Sequence, residues 1–236
     1  MNKIKCKLID VIGRTREIKS FRLVPEEKIQ FSPGQFLQVI FDEENTANRD
    51  LNKYLSFSCA PEKDYFEVTK KMSGSEFSQR LAELKPGDTV LVKAPMGNCV
   101  FLDEYEKIGF LIGGIGITPV ISIVEYIVRK KLKTDVCILY SNRRDDEIAF
   151  KEELCGWEDD SSNIHVVFPI TDCDPVDKRC IKGGIDKQFI KNNMSDYAQR
   201  VIFVFGPPAM VNSMKNICLE MSCKSEMLKM ENFYGY

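Results

Sequence analysis

The apolar pattern of this 236-residue chain changes period near residue 100, and no single uniform architecture accommodates both halves. Before that point the apolar runs are short and partly alternating: IKCKLIDVI (4–12), IKSFRLV (18–24), FLQVIF (36–41), YLSFSCA (54–60), YFEVTKK (65–71) and DTVLVKA (88–94). Turn signals separate them, among them Ser32-Pro33-Gly34 and Lys85-Pro86-Gly87-Asp88. One helix fits, over Glu76–Leu84, with Phe77, Leu81 and Leu84 at helical spacing. Many short strands in succession predict a small antiparallel β-barrel. After that point KIGFLI (107–112), DVCILY (135–140), NIHVVFPI (163–170) and RVIFVF (200–205) are compact apolar runs, suited to strands buried on both faces. Helical stretches alternate with them, at 119–131, 147–154, 185–191 and 208–221. That alternation predicts a parallel-sheet α/β domain with helices on both faces. The charged FLDEYEK (101–107) marks the change, so the expected domains are 1–103 and 104–236.

The first strand of the second half runs directly into glycines: FLIGGIGITPVISIVEYIV spans 110–128, with Gly113, Gly114 and Gly116 ahead of Thr118 and Pro119. Open α/β sheets bind ligands at the carboxyl ends of their strands, and a helix N-terminus favours phosphate. A bare turn there suits a dinucleotide, although tight packing alone also calls for small residues. A second such turn, Gly206-Pro207-Pro208, follows RVIFVF and again opens a helix. Two at one sheet edge strengthen the dinucleotide reading.

Other features narrow the chemistry. His165 is the only histidine and lies in a predicted strand, so histidine-based triads and multi-histidine metal sites lack support. None of the nine cysteines forms CxxC, and most lie in apolar stretches; buried free thiols in a reducing compartment are expected, with no metal centre. A net charge of −2 gives no reason to expect nucleic-acid binding. No apolar run approaches the 18 or more residues of a membrane span, and a cytoplasmic protein is expected.

Five segments stand in a telling order: KYLSFSC (53–59), SEFS (75–78), GGIGITP (113–119), FGPPAM (205–210) and ENFYGY (231–236), preceded by FSPGQF (31–36). Together they resemble the ferredoxin–NADP⁺ reductase family of flavoenzymes over nearly the whole chain. The first resembles the family's RxYSxxS segment. The resemblance places a flavin-diphosphate cation at Lys53, the residue packing on the flavin at Leu55, and a hydroxyl near the reactive ring at Ser56. Lysine stands for arginine and leucine for tyrosine, and Cys59 replaces the final serine. The second resembles a GxxS turn on the flavin diphosphate; Ser75 takes the glycine place with Gly74 one residue early, and Ser78 is the preferred hydroxyl. A plain helix cap at Ser73 or Ser75 is the structural counterpart. GGIGITP is similar to the GTGITP loop under the nicotinamide, which implicates Gly113, Gly114, Gly116, Thr118 and Pro119. FGPPAM resembles CGPPxM, implicating Phe205, Gly206, Pro207 and Met210, with Phe205 in the cysteine's place. The terminus puts Glu231 and Phe233 near the flavin.

The resemblance implies a β-barrel that holds FAD, followed by a sheet domain that binds NADH or NADPH. Hydride would pass to the flavin, and electrons then to a separate protein or small-molecule acceptor. Ser56, Thr118 and Glu231 are the expected catalytic residues. Asp172, where NADPH-using relatives carry an arginine, favours NADH. Two alternatives stand beside this: an electron-transfer subunit of a larger complex, as in some dihydroorotate dehydrogenases, and a non-catalytic nucleotide-binding module.

Overall fold

A computed structural model describes residues 3–233; Tyr234, Gly235 and Tyr236 of the terminal segment lie outside the described residues. The chain divides into two compact units, one of residues 1–101 and 118–126, the other of 102–117 and 127–236.

The first unit contains β1 (Lys3–Gly13), β2 (Ile18–Pro25), β3 (Phe36–Ile40), β4 (Asn52–Ser56), β5 (Phe66–Lys71), α1 (Glu76–Glu83) and β6 (Thr89–Met96). Strand alternation decides what is buried. On β1, Cys6 and Leu8 face the interior while Lys3, Lys5 and Lys7 are exposed. The strands form one six-stranded antiparallel sheet in the order β4-β3-β6-β1-β2-β5. Its core gathers Leu8, Phe21, Leu37, Phe57, Val68 and Val92, with Phe77 of α1. The expected barrel is not fully closed: the edge strands β4 and β5 meet only through a bridge between Phe57 and Val68, because β4 ends at Ser56 rather than running on to Ala60.

The second unit holds β7 (Lys107–Gly113), β8 (Asp135–Ser141), α3 (Lys151–Asp160), β9 (Ile164–Ile170), β10 (Cys180–Lys182), α4 (Lys187–Asn193), β11 (Val201–Gly206), α5 (Pro208–Glu220) and β12 (Leu228–Asn232). The helix α2 (Ile117–Lys130) follows β7, and its residues 118–126 belong to the first unit. The sheet is parallel throughout, in the order β10-β9-β8-β7-β11-β12. Both flanks of β7, β8 and β11 are covered, and every residue of β11 is buried. Leu111, Leu139 and Val204 of the sheet pack with Val211 and Met214 of α5.

Three elements depart from the pattern reading. The helix expected over 147–154 starts at Lys151, because Phe150 takes a left-handed conformation at φ 59° and Asp145–Glu147 form a separate 3-10 turn. The helix expected at 185–191 starts after Asp186, whose carboxylate accepts the Phe189 N–H at 2.7 Å. The edge strand β10 spans three residues, too few for a periodicity to show.

Candidate cofactor site

In the first unit the predicted flavin residues lie on β4 and at the start of α1. Ser56 closes β4 and is buried, 4% exposed. Leu55 is part of the barrel core, whereas Tyr54 next to it is 59% exposed and meets Phe36 edge-on at 5.7 Å. The aromatic ring of this stretch is therefore on the other side of the strand from the position the family pattern implies. At α1, Ser75 is the N-cap, its Oγ accepting the Ser78 N–H at 3.4 Å. Ser78 Oγ lies 3.1 Å from Ser73 Oγ and accepts from Ser75 Oγ at 3.2 Å. The cap and the hydroxyl cluster coincide, so Ser75 serves the helix and also presents an oxygen at its positive end. Gly74 has open space where a Cβ would stand. Thr118 and Pro119 open the part of α2 that belongs to this unit, and Thr118 is 1% exposed.

Lys70 of β5 lies outside the sequence motifs. Its side chain is buried, its ammonium donates to the Lys71 carbonyl at 2.5 Å, and burial followed by the charges of Lys53 and Lys71 lowers its pKa to about 8. The charges that act on Lys70 are themselves cations. A cluster of like charges disfavours its own ionisation, and a bound anion relieves that. The one available signal was the doubled lysine at the end of an apolar strand, Lys70-Lys71, which reads equally well as a solvated strand end.

In the second unit the two glycine turns pack on each other. A Cβ on Gly116 would strike the Phe205 carbonyl group, with the Phe205 carbon 2.6 Å away and the Gly206 nitrogen 2.9 Å away. A Cβ on Gly113 would meet the Met210 sulfur, with Pro207 Cδ 3.4 Å away. Gly114 stands apart: its φ is +53°, and a Cβ there would point into open space. The absence of side chains at Gly113 and Gly116 thus has a cause inside the protein, the close approach of the two turns. Phe205 is fully buried, packed against Phe203 at 5.9 Å and edge-on to Phe233 at 6.4 Å. Gly116 is the N-cap of α2 and Pro207 that of α5, and neither helix start is capped by a side-chain hydrogen bond.

Glu231 lies opposite Phe205 in the β11–β12 ladder. Its Oε2 is buried with no hydrogen-bond partner among the described residues, and burial raises the carboxyl pKa to about 7. Asp172 is separate from this group, beyond the end of β9. Its amide donates to the Arg143 carbonyl at 3.0 Å, its Oδ1 accepts from Thr171 Oγ1 at 2.8 Å, and Arg143 Nε is 4.0 Å from its Oδ2.

Comparison with known proteins matches both units. The pattern described as "Oxidoreductase FAD-binding domain" covers residues 5–101, and that described as "Oxidoreductase NAD-binding domain" covers 110–216. The chain belongs to the ferredoxin–NADP⁺ reductase-like flavoenzymes. It is 26% identical to Nitrate reductase [NADH] 1 of Nicotiana tabacum over 92% of its own length and 27% of the relative's. It is 29% identical to NADH-cytochrome b5 reductase 1 of Emericella nidulans, over 81% of its length and 64% of the relative's. A ferredoxin NADP⁺ reductase from Neisseria gonorrhoeae, solved with FAD and NADP, superposes with a TM-score of 0.81 at 21% identity, covering 99% and 100% of the two chains. The chain therefore spans between a quarter and two thirds of the two curated relatives, and the shared part is an FAD-binding domain followed by an NAD-binding domain. No helix among the described residues is long and apolar enough to cross a membrane.

Proposed function

We propose that this chain is an NAD(P)H-dependent flavoprotein reductase that passes electrons to an acceptor outside these two domains, either a protein or a small molecule. The lysine cluster of the first unit carries the reading. Lys53 and Lys70 are close enough for the charge of one to act on the other, a positive site that a diphosphate would neutralise; Lys71 pairs with Glu17 at 3.3 Å, and the chain leads on from it to the hydroxyls of Ser73, Ser75 and Ser78. FAD fits this donor set, with Lys53 and Ser78 on its diphosphate and Ser56 nearest its reacting ring. When bound, the flavin supplies two-electron chemistry with a reduced nicotinamide and onward release of electrons. The chain's own part is geometric and electrostatic. The N-terminus of α5, which no side chain caps, turns backbone N–H groups toward a dinucleotide, α2 adds the positive end of its dipole, and Thr118 orients the nicotinamide. Half-buried Glu231, its Oε2 enclosed, holds a proton up to near neutral pH close to the same turn. Anaerobic addition of NADH to the yellow protein tests the function: bleaching supports it. A protein that binds nucleotide and never bleaches is the non-catalytic module, a reading that buried Leu55 at the aromatic position favours.

NADH is the proposed partner, on account of Asp172. An anionic side chain beside a 2′-phosphate repels it by about 1 kcal/mol in water, or about fivefold in preference, and more where water is excluded. Arg143, 4.0 Å away, offsets part of this, and Asp172 is more than half exposed, so the low figure applies. The ratio of kcat/KM for NADH to that for NADPH is expected to exceed one, and to fall about tenfold or more in Asp172→Arg. A wild-type preference for NADPH, or an unmoved ratio in the variant, would overturn the assignment.

A further inference from the structure

The residues that follow Ser56 are fixed one after another. Phe57 bridges Val68. Ser58 donates its N–H to the Glu67 carbonyl at 2.8 Å and shares a 2.7 Å hydrogen bond with Thr69 Oγ1, which in turn shares one with Ser20. The Cys59 sulfur accepts the Glu67 N–H at 3.1 Å. These partners all come from the sheet itself. The next one does not: the Ala60 N–H donates to Glu125 Oε2 at 2.6 Å, and Glu125 is on α2. The other carboxylate oxygen accepts from Lys63 Nζ at 2.5 Å. Burial lowers the Lys63 pKa, but the hydrogen bond and charge of Glu125 outweigh it and hold the ammonium above its usual value. Ala60 is 1% exposed, and the side chains of Lys63 and Glu125 are 15% and 19% exposed, so water competes weakly for these bonds.

Glu125 lies seven residues after Thr118 in one unbroken helix, which puts the two on nearly the same face, about 10 Å apart along the axis. Ala60 lies four residues after Ser56 in a segment with no slack. We propose that Glu125 is a positioning residue: through its bond to the Ala60 amide, with Lys63 orienting the carboxylate, it fixes Thr118 relative to Ser56. This rests on the reading above that Thr118 orients the nicotinamide and Ser56 lies at the flavin. Hydride transfer depends steeply on the separation of the reacting atoms, and a misplacement of about 1 Å costs on the order of 10²-fold in rate. Binding of the dinucleotide through its phosphates depends on the turns and not on this bond, so rate and affinity should respond differently.

The test compares Glu125→Ala, Glu125→Gln and Glu125→Asp in the FAD-loaded full chain. The glutamine keeps an oxygen that accepts the Ala60 N–H; the aspartate keeps the charge but withdraws it by one methylene. Hydrogen exchange at the Ala60 amide is expected to stay slow in Glu125→Gln and to become fast in the other two. Flavin reduction by NADH, per bound flavin in stopped-flow, is expected to fall about tenfold or more in Glu125→Ala and Glu125→Asp, and by less than about threefold in Glu125→Gln, with the Kd for NADH and the FAD content held. An unchanged rate in Glu125→Ala and Glu125→Asp overturns the proposal. So does an equal loss in all three, which would move the effect from the Ala60 bond to the ion pair. Thr118→Val judges the underlying reading on its own: slow reduction supports the role of Thr118, and unchanged reduction removes it, whatever the Glu125 variants show.

Discussion

At the start of α1 three serine hydroxyls gather, with Oγ–Oγ separations of 3.1 to 3.2 Å, and the lysines of β4 and β5 supply charge. At the starts of α2 and α5 no side chain caps the helix, and the turns ahead of them are close enough that a Cβ on Gly116 would enter the backbone of Phe205 and Gly206. On the proposed function the first unit meets its cofactor with side chains, and the second with bare backbone. Side chains can be exchanged for others of similar charge or size: Lys53 stands for arginine and Ser75 for glycine, and the hydroxyl cluster survives. A turn held by backbone contact has no such latitude: GGIGITP keeps both glycines of the GTGITP pattern, at Gly114 and Gly116, and departs from it only at Ile115, where isoleucine stands for threonine.

The sharpest break of this comparison is Gly116→Ala. The new methyl would meet backbone that cannot rotate aside, so the loss is expected at the upper end of overpacking or beyond, about 3 kcal/mol. Urea unfolding of the second unit should show it, together with lost retention on a nucleotide matrix; a midpoint at the wild-type value would mean that the two turns do not press together.

Glu231 is the side-chain exception within the second unit. Its folded pKa, about 7, lies above the 4.5 of the free carboxyl. Below pH 4.5 both states are protonated and the group contributes nothing; as pH rises through 4.5 toward 7 the unfolded state loses its proton first, and the fold is progressively destabilised. Above pH 7 the penalty is constant, about 3 kcal/mol at most and less where solvent reaches the carboxyl. Glu231→Gln should therefore be more stable than wild type at pH 8 and equal to it at pH 4. Unfolding curves that stay parallel across that range would refute the raised pKa of Glu231.

Lys53→Ala should weaken FAD retention by about 1.5–3 kcal/mol, roughly tenfold to a hundredfold, because a charge-assisted contact is lost. Equilibrium dialysis against FAD reads it directly. The smallest effects separate two kinds of glycine. Gly114→Ala places a side chain at φ +53° and should cost about 1 kcal/mol in stability. Gly74→Ala has open space and no such φ, so its unfolding free energy should match wild type within about 0.5 kcal/mol. If Gly74→Ala also releases FAD, the flavin approaches backbone there, and the first unit uses bare backbone after all.

Periodicity exposed what is local. Five strands of the first sheet and β7, β8, β9 and β11 of the second stand where alternation or unbroken apolar runs put them, β4 is displaced toward Asn52, and both glycine turns stand at strand ends. The residues that escaped are defined by neighbours distant in sequence. Lys70 looks like any strand-end lysine until burial and Lys53 lower its pKa. Glu125 looks like a helix-surface acid until the Ala60 amide meets it across 65 positions. Leu55 illustrates the converse: the motif assigns it a role at the flavin, while the hydrophobic effect draws a leucine into the barrel core and leaves Tyr54 outside.

The order of the second sheet has a consequence during synthesis. β7 is an inner strand between β8, which follows soon after it, and β11, which begins at Val201. At about 5–20 residues per second, the stretch between Gly113 and Val201 takes roughly 4 to 18 s to emerge. Through that interval the backbone edge of β7 that will receive β11 has no partner, and Ile108, Phe110, Leu111 and Ile112 lack the cover they have in the finished fold. An unpaired apolar strand edge is a template for the wrong chain. Translation pauses in this stretch should lower the soluble yield more than pauses after Gly206.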